Sequence, residues 1–167
     1  MKKLTFLTLL TALNAIALFA QSGKTAEQDA IRKAIEDETA ALNACDYARW
    51  ADHWWPETYC YFSVTSPQRH WSMHGWEEIS AWAKTATTNC TPTTDNPKKW
   101  DYKYAVNGNM AFVTFLEAGG DESTRVLEKR DGKWKLIRMG VVASSRDRKS
   151  TRLNSSHERR SRMPSSA

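Results

Sequence analysis

The chain predicts an α+β fold on three observations. Two amphipathic helical patterns open the domain, strand patterns fill its second half, and Asp131-Gly132 joins the last two strands. Helices first and sheet after is the α+β order, unlike the regular alternation of α/β proteins. An Asp-Gly pair between RVLEKR and KWKLIRMGVV is a strong hairpin signal, because a type I′ turn needs φ > 0 at both central residues.

Both ends separate from this domain. Lys2 and Lys3 precede a run, Leu4 to Ala20, that is apolar apart from three Thr and one Asn. It is short for a membrane span and is followed by polar QSGK, so residues 1–20 read as a secretory signal peptide cleaved after Ala20. The expected location is secreted or periplasmic, with no membrane attachment after cleavage. At the other end, DRKSTRLNSSH and SRMPSSA resemble a translated adapter oligonucleotide of short-read DNA sequencing. Residues 147–167 are therefore taken as an artefactual, disordered tail. The domain is 21–146.

Removing both ends changes the electrostatics. The full chain carries +5, but residues 21–146 hold 16 basic against 17 acidic side chains. The basic footprint expected of a nucleic-acid binder is gone.

The elements follow in order. Thr25-Ala-Glu-Gln28 is a capping box opening a helix to Asn43, with Ile31, Ala34, Ile35, Glu38 and Leu42 on one stripe. Asp46 caps a second helix, Tyr47 to Trp55, and Pro56 ends it. Tyr59 to Thr65 and His70 to His74 alternate as strands on either side of Ser66-Pro67, and Gly75 precedes a third helix to about Thr87. Polar 88–99, with two prolines, is a loop. Strands over 100–106, 110–117, 123–130 and 133–144 complete a sheet of about six. Cys45, Cys60 and Cys90 have no zinc spacing and read mostly as buried small hydrophobes, with one optional disulfide.

Three segments carry a family resemblance: AIRKAIEDETAALNACDYARWADHW, HGWEEISAWAK, and NGNMAFVTF with RVLEKRDGKWKLIRMGVV. Their order resembles the nuclear transport factor 2-like superfamily, in particular its SnoaL-like, ketosteroid-isomerase-like members, over about residues 24–146. The resemblance implies a cone: a curved antiparallel sheet wrapped around the helices, enclosing an apolar pocket, commonly dimeric through the sheet. Ketosteroid isomerase, scytalone dehydratase, SnoaL-type cyclases and non-catalytic binding domains share it, so fold alone does not select an activity.

Candidate site residues follow from chemistry. Glu38, a carboxylate on an apolar stripe, must be hydrogen-bonded or desolvated, which suits either a structural acid or a proton-transfer group. His53, near the end of the second helix, is a second proton-transfer candidate. Trp50, Trp54, Tyr59, Tyr61, His74, Trp76 and Arg138 are the candidate ligand-binding set, with Arg138 either Glu38's partner or a surface charge. His70 and His74 lack a third ligand, so no metal site is expected, and no phosphate loop or nucleophile elbow implies a cofactor. Three functions remain: an exported binder of a small apolar or aromatic molecule, a cofactor-independent isomerase, dehydratase or cyclase using Glu38 or His53, or a structural dimerisation module. A homodimer through the outer sheet face is expected, because the meander strands carry apolar residues on both sides.

Truncation after Arg146 should leave the melting temperature unchanged, since a Ser/Arg-rich tail cannot bury enough surface to offset its ordering entropy. A drop of several degrees in a thermal melt would show the tail packing on the domain.

Overall fold

The computed structural model describes residues 25–144. The predicted signal peptide and adapter-like tail lie outside the described residues. Helix α1 spans 25–43 and buries Ile31, Ile35, Glu38 and Ala41 along one stripe. Its opposite side is laced by the i,i+4 pairs Arg32–Glu36 and Lys33–Asp37, as a solvated helix face requires.

Helix α2 is Tyr47–Asp52, and the Asp46 carboxylate accepts from the Arg49 amide at 3.0 Å. It stops three residues before the predicted end because the backbone changes partner. The Leu136 amide donates to the His53 carbonyl at 2.8 Å, the Trp55 amide donates to the Leu136 carbonyl at 3.0 Å, and Trp54 bridges Leu136. Sheet pairing wins over another helical turn.

Strands β1 (Tyr61–Thr65) and β2 (His70–His74) form a hairpin, and helix α3 is Gly75–Thr88. Gly75 makes the sharp entry at φ +76°, where an added Cβ would lie 3.3 Å from the Thr58 carbonyl oxygen. Strands β3 (Trp100–Asn107), β4 (Met110–Leu116), β5 (Glu122–Arg130) and β6 (Lys133–Val142) follow as a meander. Asp131 (φ 50°) and Gly132 (φ 77°) are both left-handed, as the predicted turn demands.

The sheet order is β2-β1-β6-β5-β4-β3, antiparallel except where β1 runs parallel to β6. That parallel junction attaches the early hairpin to the last strand, and the sheet curves around the helices as a cone. A bulge between Val126 and Leu127 on the β5–β6 pair leaves Ile137 as the extra residue. Register then gives two faces. One row of the concave face reads Tyr104, Val113, Arg125, Met139, Phe62, Met73. The neighbouring convex row reads Ala105, Phe112, Val126, Arg138, Tyr61, His74.

Two of the three cysteines are not simply packed hydrophobes. Cys45, at the α1–α2 corner, forms a disulfide with Cys90 after α3, with Cα atoms 6.0 Å apart, whereas Cys60 is free and buried. The same corner holds the long loop through the Asn43 side-chain Nδ2, which donates to the Asp95 carbonyl at 2.9 Å. By loop-closure entropy, a bridge across 45 residues should stabilise by about 4 kcal/mol. Cys45→Ser/Cys90→Ser should therefore lose about 2–4 kcal/mol in urea denaturation, while Cys60→Ala leaves the disulfide intact. Equal stability of the double Ser variant and the oxidised protein would refute the bridge's contribution.

Candidate functional site

The concave side is built around an aromatic cluster. Trp50 is fully buried and touches four rings: Trp54 (5.5 Å), Trp76 (6.0 Å, stacked), Trp82 (6.4 Å, edge-on) and Tyr47 (6.4 Å). Phe62 extends it to Trp82 and Trp71 at 4.9 and 5.2 Å. Alternation along β1 sends Phe62 inward, and the α2 and α3 stripes supply the rest.

Glu38 enters this cluster from α1. It is 1 % exposed, and the Trp50 indole N–H donates to its Oε1 at 2.6 Å. The Thr39 hydroxyl lies 3.4 Å from Oε2. A buried carboxyl group needs such a donor in place of solvent.

Arg125 faces the same interior from the middle of β5. It is 1 % exposed, with Nη1 donating to the Thr124 carbonyl at 3.1 Å and Nη2 at 3.5 Å from Glu117 Oε1. Its Nε is buried with no hydrogen-bond partner among the described residues, as is the Trp54 indole nitrogen. Burial pushes the guanidinium's pKa down, and the carboxylates of Glu38 and Glu117 oppose that. Lys99, at the foot of β3, is nearly buried. Burial pushes its ammonium down too, Glu117 opposes, and Arg125 adds to the depression. The Tyr102 and Tyr104 hydroxyls are raised by burial, with Glu36 adding to the rise at both.

The predicted site residues divide. Glu38, Trp50, Trp54 and Trp76 meet on the inside. Tyr61, His74 and Arg138 meet on the convex face, where the Arg138 guanidinium sits 4.7 Å over the Tyr61 ring and His74 packs edge-on at 4.9 Å. Arg138 thus is not Glu38's partner. The bulge at Ile137 breaks the alternation with Trp134 and Leu136 and turns Arg138 outward. Tyr59 is 55 % exposed and bonded to Glu128 and Arg130 at the surface.

His53 lines a recess of about 240 Å³ with Lys33, Ala34, Asp37, Asp52, Trp134 and Lys135 among others, within electrostatic reach of Glu38. Sequence reasoning missed Arg125 and Lys99. Arg125 shares a strand face with Ser123 and Leu127, and that alternation was a readable signal. Among the described residues, no three His, Cys, Asp or Glu side chains gather as a metal site, and no helix is long and apolar enough to cross a membrane.

No protein-family model matches the sequence, and no curated protein matches it. Solved structures do match. A proposed dehydratase of the NTF2-like family from Streptomyces avermitilis superimposes with a TM-score of 0.56 at 18% identity, over 72% of this chain and 98% of that one. An NTF2-like protein of unknown function from Pseudomonas putida gives 0.56 at 17%, over 72% and 88%. A proposed scytalone dehydratase from Novosphingobium aromaticivorans gives 0.56 at 15%, over 72% and 86%. The chain has the nuclear transport factor 2-like fold.

Two outcomes follow. Glu38→Ala should cost about 1–3 kcal/mol in denaturant unfolding by orphaning the Trp50 indole, and Glu38→Gln, which keeps an acceptor, should cost less. Equal loss for both would mean the hydrogen bond is not what matters. For His53, burial lowers the pKa below the usual 6.5, against the pull of Glu38, Asp37 and Asp52. The unfolded chain then takes up this proton first, so stability is full above about pH 6.5 and falls as pH drops toward the folded value. His53→Gln should flatten the stability curve from about pH 6.5 downward; an unchanged slope would refute the assignment.

Proposed function

We propose that this is an exported domain that holds a small, largely apolar or aromatic molecule inside the cone, between α1 and the concave sheet. The observation that carries the reading is Glu38 with Arg125: a buried carboxyl on α1 and a buried guanidinium on β5 whose Nε–H has no acceptor among the described residues. Desolvating a charge costs several kcal/mol, and the long Arg125–Glu117 contact with an unpaired Nε–H offsets that cost only in part. Trp50, Trp54 and Trp76 supply the aromatic wall that a flat ligand would meet. The Cys45–Cys90 disulfide supports export, since such bonds persist in oxidising compartments.

A second reading is a cofactor-independent isomerase, dehydratase or cyclase in which Glu38 moves the proton. It is supported by the placement of Glu38 and by the two similar structures described as proposed dehydratases. His53, in its separate recess, supports this role less.

The convex face supports a homodimer as well. Phe112 (49 % exposed), Met110 and Val142 leave apolar area on a face whose next row is small from Thr114 through Thr124, Gly140 and Ser63 to Ser72, with Lys103 at its outer end. Sedimentation at micromolar concentration should give a dimer that Phe112→Lys dissociates; a wild-type monomer with no concentration dependence refutes it.

Fluorescence of N-phenyl-1-naphthylamine, a neutral aromatic probe, should rise to saturation with one site per chain. An unsaturable linear rise would count against an interior site. With a turned-over substrate, Glu38→Gln separates the two readings: binding kept and turnover lost marks proton transfer, and both kept excludes it.

A further inference from the structure

We propose that the recess beside His53 is a second binding site, separate from the cone interior, and that it takes a neutral polyhydroxylated molecule of monosaccharide size. Three elements converge on it. Helix α1 brings Lys33, Ala34 and Asp37, the end of α2 brings Asp52 and His53, and the start of β6 brings Lys133, Trp134 and Lys135. Two contacts fix α2 against β6: the Leu136 amide donates to the His53 carbonyl at 2.8 Å, and Lys135 Nζ donates to Asp52 Oδ1 at 2.7 Å. The space enclosed is about 240 Å³, open to solvent where Lys33, Asp52 and Lys133 are exposed.

The polar groups around this space are only half used. Lys33 Nζ donates to Asp37 Oδ2 at 2.6 Å and Lys135 to Asp52 Oδ1, so each carboxylate keeps one oxygen without a hydrogen bond among the described residues. The Lys133 ammonium and the His53 ring make none there either. Burial keeps the imidazole's pKa below the usual 6.5, so at neutral pH it offers one donor and one acceptor. These charges select against ions. An anion would meet the two spare carboxylate oxygens, and a cation would meet Lys133 beside the two paired lysines. A hydroxyl meets neither penalty, since it donates to a carboxylate oxygen and accepts from an ammonium. Both ion pairs stay intact while it does so. The buried Trp134 and half-buried Ala34 give the recess apolar surface for the C–H face of a sugar ring.

Titration of the purified protein with methyl α-glucopyranoside and methyl β-galactopyranoside, followed by ¹H–¹⁵N NMR, tests this against sodium acetate and methylammonium chloride. At least one glycoside should shift the Trp134 indole and His53 amide resonances saturably, with a millimolar Kd, and leave the Trp50 indole unmoved. Asp52→Ala should weaken that binding about tenfold, as expected for the loss of a hydrogen bond to a charged group. Asp52 is 80 % exposed, so the variant keeps the core, and an unchanged melt checks this. Neither glycoside shifting these resonances, or acetate or methylammonium binding more tightly than both, overturns the proposal. So does a glycoside that moves Trp50 and not Trp134. None of these outcomes touches the interior-ligand reading, which the naphthylamine probe tests by itself.

Discussion

Trp50 donates its indole N–H to Glu38 at 2.6 Å, and most of the interior is arranged around that bond. It joins α1 to α2. The same indole stacks on Trp76 at the start of α3 and meets Trp82 one helical face further on, so one side chain touches all three helices. Glu38 could not remain on an apolar stripe without this donor, and the large Trp50 ring would have an unsatisfied N–H without Glu38. Each group makes the other's burial possible. The ring cluster then passes through Phe62 to β1 and so to the sheet.

The sheet sorts charge by face, and the sorting has a local cause. Arg125 and Arg138 lie on adjacent paired strands only one register position apart, Arg125 opposite Met139 and Val126 opposite Arg138. Strand alternation therefore places one arginine inside and the other outside. The inner one keeps Glu117 at 3.5 Å and the Thr124 carbonyl, while its Nε–H has no partner among the described residues. The outer one stacks on Tyr61 in a solvated setting, where such a contact is worth a fraction of a kcal/mol to about 1 kcal/mol. Two residues of the same type thus take opposite settings, one desolvated beside Glu117 and the other stacked on Tyr61 at the convex surface.

Much of the architecture was legible beforehand. The Asp131-Gly132 turn, the Asp46 cap, Gly75 at the start of α3 and the bounds of the later strands are local features, set by φ preference, capping geometry and two-residue alternation. Glu38's burial was legible for the same reason: a single charged residue at helical spacing with Ile31, Ile35 and Leu42 has nowhere else to go. Arg138 was open as either Glu38's partner or a surface charge, and spacing could not choose because a one-residue bulge is invisible to a count of alternate positions. Overlooking Arg125 was different, since Ser123, Arg125 and Leu127 alternate plainly; a charge on a face shared with Leu127 was the available clue.

By itself the sequence determined element order, turn types and the stripe that carries Glu38, because these depend on neighbours within a few positions. Only the tertiary structure decided that β1 runs parallel beside β6, that Cys45 meets Cys90, and that Tyr61, His74 and Arg138 share the convex face. It alone buried Arg125 on the concave face, opposite Val113 and Met139. Those pairings join residues tens of positions apart, and their geometry comes from sheet register and curvature, which no local spacing encodes.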